Sequence, residues 1–316
     1  MNKVDHSFTI GNVKFNNTVL TASGTYGFGL EFAKIIDVSR LGGIATKGLS
    51  LEPKKGNPGE RIYETPAGML NSIGLENPGV DSFKKDYLPE AAKLGTKIIA
   101  NISGSSLEEY GLMAESLESE KDVAALEVNI SCPNVKAGGM AFGTDLKMVE
   151  KVTEIVKKNT TKPVIIKLSP NVTNIVDFAQ AAQYSGADAV SLINTLMGMA
   201  IDINKRKPVL GNVMGGLSGP AVKPVALRMV YQVSQKAKIP VIGMGGISNP
   251  RDAIEFLLAG ANAIMLGTIN FREPQMPLDI IEGIEKYCLD NGFNSVQDLV
   301  GLAWKEEKHV KTNRCT

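Results

Sequence analysis

"IPVIGMGGISNPRDAIEFLLAGANAIMLGT", Ile239 to Thr268, is the stretch that decides the fold. It opens with an apolar run, 239–246, and closes with another, 261–268. Both runs are apolar on both faces, as parallel strands covered on two sides must be. Between them, "SNPRDAIEFLLAG" has helix punctuation: cap candidates Ser248 and Asn249, Pro250 in the first turn, and Gly260 past the end. The stretch reads as strand, helix, strand.

Six further short runs of this kind precede it: 18–24, 42–48, 96–104, 124–132, 162–170 and 187–195. Most are followed by a helical pattern. In "LKMVEKVTEIVKK", Leu146, Val149, Val152, Ile155 and Val156 share one stripe. Eight strands with helices between them predict an α/β fold, a (β/α)8 TIM barrel, with residues 1–316 as a single domain. A doubly wound sheet would need a Gly-rich turn after an early strand, and "ASGTYGFG" matches GxGxxG only loosely. Two gaps between strands, about 48–96 and 195–239, are long enough to hold insertions on the catalytic face. Within the second, "AIDINKRKPVLGNV" predicts a hairpin turning at Asn204–Lys207. At the head, residues 7–16 predict an N-terminal β-hairpin turning at Gly11–Asn12, placed under the barrel.

Composition narrows the chemistry. The net charge is +1 with no long run of one sign, which argues against a nucleic-acid partner or a basic membrane face. No apolar run approaches the ~20 residues of a membrane span. The opening residues alternate too early for a signal peptide, so a cytoplasmic location is expected. The three cysteines, Cys132, Cys288 and Cys315, make neither a disulfide framework nor a CxxC pair, so no metal site is expected. The two histidines, His6 and His309, lie near the termini, which nearly removes imidazole catalysis.

In a barrel of this kind the C-terminal ends of all eight strands face one site. Ser23, Lys47 with Gly48, Asn101, Asn129 with Cys132, Lys167, Asn194 with Thr195, Gly245 with Gly246, and Gly267 with Thr268 stand at those ends. Singly, each has a bland reading as a turn former or a solvated charge; together they read as a site. The last two ends suit a phosphate, carried by a substrate or by a cofactor such as FMN. One lysine can stabilise negative charge on a reduced flavin and the other can pair with an anionic substrate. Asparagines suit a heterocycle with alternating N–H and C=O groups. In "NISCPNVK", Cys132 could be a packing residue, a metal ligand, half of a disulfide or a catalytic group.

The segments "TASGTYGFG", "GNPGERIYETPAGMLNSIGLENPG", "LEVNISCPNVKAGGMAFGTD", "VIIKLSPNVTNI", "LINTLMGMAIDINKRKPVLGN", "GGLSGPAVKPVALRMV" and "VIGMGGISN" resemble the dihydroorotate dehydrogenases, and within them the type B, NAD-linked catalytic subunits. The likeness runs from about Leu20 to Phe271. Thr25 and Tyr26 depart from the family's usual Ser-Gly-Cys-Phe pattern, and Gly48 stands where Ala is common. The resemblance implies oxidation of (S)-dihydroorotate to orotate in pyrimidine biosynthesis. It implies FMN held by Ser23, Lys47, Gly48, Asn101, Asn129, Lys167, Ile193, Gly219, Gly245, Gly246, Gly267 and Thr268. It implies substrate held by Lys47, Asn71, Ser72, Ile73, Gly74, Leu75, Asn129, Asn194 and Thr195. The hydride would leave C6 for flavin N5, and Cys132 would be the base taking the proton from C5. It further implies a homodimer of this chain, joined in a heterotetramer to a subunit carrying FAD and a [2Fe–2S] cluster that passes electrons to NAD. Three alternatives remain: a type A enzyme reducing fumarate, another FMN-dependent barrel such as a tRNA-uridine reductase, and a non-enzymatic flavin- or phosphate-binding barrel.

Overall fold

The computed structural model describes residues 4–131, 133–134 and 140–305. Its centre is a closed barrel of eight parallel strands. They are β1 (Val19–Thr21), β2 (Gly43–Ala45), β3 (Lys97–Ile102), β4 (Val123–Asn129), β5 (Val164–Lys167), β6 (Ala189–Leu192), β7 (Val241–Met244) and β8 (Ala263–Leu266). Each pairs with the next, and β8 pairs with β1 through Met265 and Leu20. The main helices are α1 (Leu107–Glu118), α2 (Leu146–Lys158), α3 (Ile175–Tyr184), α4 (Lys223–Ser234), α5 (Pro250–Ala259) and α6 (Met276–Asp290). All eight sequence-predicted strands are present. After β1, however, two short 3-10 turns, Phe32–Lys34 and Val38–Arg40, stand where a full helix was expected.

Side chains alternate along each strand, so the barrel has two cores. Outward residues such as Ile44, Ile98, Leu126, Ile166, Val190 and Ile264 pack under the helices. Inward residues Leu20, Ile99, Ile165, Ile242 and Met265 meet the alanines 45, 125, 189 and 263 inside. The same inner cluster holds Phe8, Ile10 and Phe15 of the N-terminal hairpin, whose strands are Phe8–Ile10 and Val13–Phe15. That hairpin plugs the bottom: a Cβ on Gly11, which has a φ of +55°, would stand 3.3 Å from Pro163, just before β5.

Local signals explain the helices. Asn249 caps α5 by accepting from the Asp252 N–H, Pro250 follows, and Gly260 ends the helix in the left-handed region. Asp145 caps α2. On α2, Val149, Val152 and Val156 are buried, but Leu146 is exposed and Ile155 half-buried. Thr153 shares the buried face because its hydroxyl donates to the Val149 carbonyl at 2.7 Å.

The two insertions meet. Ile62–Thr65 and Gly68–Asn71 from the first pair with Leu196–Gly198 and Gly215–Ser218 from the second in one four-stranded antiparallel sheet. This sheet roofs the C-terminal mouth of the barrel. The small hairpin pairs Ile201–Asp202 with Lys207–Pro208. Lys207 is therefore already in a strand, and the turn sits one residue earlier than expected.

Behind the β7 loop, Lys223 at the start of α4 pairs with Asp252 in the first turn of α5 and, at 2.8 Å, with Glu255. Asp252 is buried and also accepts from the Ser248 N–H and hydroxyl. Burial pushes its carboxyl up, but the hydrogen bonds from Lys223 and Ser248 outweigh this and hold it below the ordinary 3.8. A depressed carboxylate stabilises the fold above its unfolded pKa and loses that contribution as pH falls through its folded value. Asp252→Asn should therefore lower stability at pH 7, by about 1–3 kcal/mol. In thermal melts the gap to wild type should close as pH drops below about 4.

Candidate active site

The inward alternation that builds the lower core continues upward into polar residues. Two positions beyond Ile99 is Asn101; beyond Ala125 come Glu127 and Asn129; beyond Ile165 is Lys167; beyond Ala189 come Ser191 and Ile193. Beyond Ala45 is Lys47, and beyond Met265 is Gly267. The upper barrel is thus the floor of a cleft of about 330 Å³, within the range of small-molecule sites.

Every residue expected at the cofactor lines this cleft: Ser23, Lys47 and Gly48 on one side, Asn101, Asn129 and Lys167 across the floor, Ile193 and Gly219 opposite, and Gly245, Gly246, Gly267 and Thr268 at one end. Of the substrate set, Lys47, Asn71, Ile73, Leu75, Asn129, Asn194 and Thr195 line it too. Ser72 and Gly74 do not. They lie between residues that do, and their surroundings point the other way: the Ser72 carbonyl accepts from Asn57, and a Cβ on Gly74 would strike Asn57 at 2.5 Å. Cys132 lies outside the described residues. Cys288 is buried on α6, and burial pushes its thiol up to about 11, as for an inert packing residue.

The polar groups are positioned by one another. Asn194 Nδ2 donates to Ser131 Oγ at 2.7 Å and to Asn129 Oδ1 at 3.3 Å. The Asn129 carbonyl accepts from buried Tyr110 at 2.8 Å. Asn171 grips the next segment, donating to the Thr195 carbonyl and accepting from the Met197 N–H. Roof residue Gly216 leaves room for Thr195: a Cβ there would lie 2.0 Å from Thr195 Oγ1. Lys167 Nζ sits 3.1 Å from Ser23 Oγ and is nearly buried. Lys47 is half-buried at the mouth, and burial holds its ammonium below the ordinary lysine value, with the Glu76 carboxylate opposing. The unusual Tyr26 is buried and stacked on Phe32, 3.8 Å between ring centres, so it packs beneath the β1 loop rather than entering the cleft. Gly48 packs closely against Leu75, since a Cβ there would approach Leu75 Cδ1 at 2.7 Å.

Sequence reasoning missed several groups. Glu127 is fully buried under the cleft floor, with Asn101 Nδ2 at 2.6 Å, Ser191 Oγ at 2.8 Å and Lys167 Nζ at 3.7 Å. Its signal was a lone acid in an apolar strand, two positions before Asn129 and therefore on the same face. Arg272, closing the short helix Ile269–Arg272, and Ser218, whose hydroxyl meets Thr268 at 2.9 Å, stand at the glycine-rich end.

The residues suit a flavin mononucleotide. Asn101 Oδ1 is buried with no partner, an acceptor waiting for a ligand N–H. Gly245 and Gly246 line the cleft with φ of +123° and +78°, a backbone conformation that favours glycine, and a Cβ on Gly246 would strike Lys223 and the Gly219 carbonyl, so this turn presents bare backbone to the cleft. Hydroxyls and Arg272 at that end supply donors and positive charge for a phosphate. The floor and mouth together supply an acceptor and two ammonium groups, Lys167 and Lys47, for a ring with N–H and C=O edges.

Comparison with known proteins agrees with this chemistry. The dihydroorotate dehydrogenase family pattern matches residues 6–288. The chain is 56% identical over 301 residues to the "Dihydroorotate dehydrogenase B (NAD(+)), catalytic subunit" of Desulforamulus reducens, covering 95% of this chain and 99% of that one. The equally named proteins of Geotalea uraniireducens and Parabacteroides distasonis are 55% and 52% identical, over 95% and 92% of this chain and 99% and 96% of theirs. With a matching pattern over most of its length and an eight-stranded barrel whose polar residues gather at one mouth, the chain belongs to the dihydroorotate dehydrogenase family.

Proposed function

We propose that this chain is the substrate-oxidising subunit of an NAD-linked, type B dihydroorotate dehydrogenase, with FMN as its own cofactor. The observation that carries the reading is the lining of the cleft, where Asn101, Asn129 and Lys167 on the floor meet Lys47 and Asn194 beneath the roof. Bound FMN would supply the acceptor for the hydride leaving substrate C6. The chain's residues do the rest. Asn71, Asn129 and Asn194 offer both donors and acceptors to the pyrimidine ring, and Lys47 pairs with its carboxylate. The roof limits water access, and a half-buried ammonium binds a carboxylate more strongly than an exposed one. Cys132, which follows β4 in the sequence and precedes Pro133, is the base for the C5 proton in this reading. The support for that role is the "NISCPN" motif.

The relatives are named catalytic subunits, which implies a partner. In this reading the partner carries FAD and a [2Fe–2S] cluster, joins a homodimer of this chain and delivers electrons to NAD in the cytoplasm. Among the described residues no helix is long and apolar enough to cross a membrane.

The isolated chain should contain FMN and no FAD, and anaerobic dihydroorotate should bleach it; cofactor extraction and chromatography check the first, absorbance the second. FAD in the isolated chain, or a flavin indifferent to dihydroorotate, would overturn the assignment. Lys47→Ala should keep FMN but weaken orotate binding roughly 10- to 150-fold, the loss of about 1.5–3 kcal/mol for a charge-assisted hydrogen bond, read from the orotate-induced flavin spectral shift. Cys132→Ala should still bind FMN and orotate while flavin reduction slows ~10²–10⁴-fold. In wild type the reduction rate should rise with pH through a thiol pKa, ordinarily about 8.5, because the thiolate is the base. Stopped-flow across pH tests this; a wild-type rate and profile in Cys132→Ala would remove the thiol from the mechanism.

A further inference from the structure

Glu127 is fully buried inside the barrel, on β4, between strands that carry the cleft floor. A buried carboxylate persists only if it is paired and hydrogen-bonded. This one meets side chains from three other strands at once. Oε2 accepts from Asn101 Nδ2 on β3 at 2.6 Å, and Oε1 accepts from Ser191 Oγ on β6 at 2.8 Å. Oε2 also lies 3.7 Å from Lys167 Nζ on β5, an ion pair between side chains that are 6% and 0% exposed.

Two consequences follow. The carboxylate accepts only, so Asn101 must turn its NH2 toward Glu127 and its oxygen away from it, toward Gly48 at the cleft wall. That oxygen is the buried acceptor without a partner. The carboxylate also offsets the charge of Lys167, whose remaining donors are free to reach Ser23 Oγ and the cleft. We infer that Glu127 is a positioning residue for the flavin: it fixes Asn101 as an acceptor, and its negative charge beneath Lys167 holds the cofactor's reduction potential down. This rests on the FMN reading given above. The potential is the natural readout, because a purely structural role would not move it in a direction set by charge.

The test uses the purified full chain loaded with FMN and a redox-dye titration. Glu127→Gln keeps the shape and removes the charge. The bound flavin should then be easier to reduce, with the reduced-to-oxidised ratio at a fixed solution potential rising roughly tenfold, about 30 mV for a two-electron couple. Its new NH2 can donate to Asn101 Oδ1, so FMN affinity measured by fluorescence quenching should fall. Lys167→Met should shift the potential the opposite way, and the double variant should return toward wild type. Should Glu127→Gln not fold, Glu127→Asp withdraws the charge by one methylene and should give a smaller positive shift. A wild-type chain that takes up no FMN overturns the cofactor reading and this inference with it. FMN-loaded wild type with an unchanged potential in Glu127→Gln, or in Glu127→Asp where only that variant folds, overturns this inference alone.

Discussion

A closed barrel of eight short strands encloses a space that must be filled, and the rest of the molecule depends on how that is done. Below, branched side chains and alanines fill it, and the N-terminal hairpin seals the end with Phe8, Ile10 and Phe15. Above, the same inward positions carry polar groups, and burying them is tolerable only because they satisfy one another. The carboxylate of Glu127 sits at the boundary between the two regimes. It accepts hydrogen bonds from two strands, pairs with a lysine of a third, and leaves the layer above to face a ligand.

Much of this was legible in the sequence because it is periodic. Runs apolar on both faces locate the strands, and the residue that ends each run falls at the mouth. Ser23, Lys47, Asn101, Asn129 and Lys167 could be named as cleft residues for that reason, before any coordinates. The hairpin at Gly11 was equally plain, since a glycine turn between two alternating segments has one simple reading. What was not legible depends on distance or on facing. Nothing local in "GMLN" or "GGLS" announces that Gly68–Asn71 and Gly215–Ser218 pair as strands of one sheet. Five consecutive residues, Asn71 to Leu75, came as a block from the family likeness, whereas an extended chain can turn only alternate ones toward a cleft. Glu127 has no local signature, because its partners come from strands 26 to 64 residues away.

The site also separates what must be rigid from what contacts the ligand. Asn194, Asn129 and Ser131 lock together, while Asn171 and Gly216 hold Thr195 from outside. Such mutual positioning removes the need to order these side chains when a ligand arrives, so less of the binding energy goes into fixing rotamers. Behind the glycine-rich loop, Lys223 and Asp252 do the same for backbone, tying two helix starts together where Gly246 leaves no room for a side chain.

The roof has a consequence for how the chain is made. Its central pairing joins Asn71 to Gly216, 145 residues apart. During synthesis the first two roof strands emerge long before their partners, leaving the edge of Gly68–Asn71 without its hydrogen bonds through the making of four barrel strands. Non-local pairings of this kind form slowly, and an open strand edge meanwhile invites the wrong neighbour. The roof can close only once Ser218 has been made, and the barrel closes later still, when β8 reaches β1 across 245 residues (Met265 to Leu20); a nascent chain therefore has no complete ligand cleft to offer until Gly267 and Thr268 follow the eighth strand.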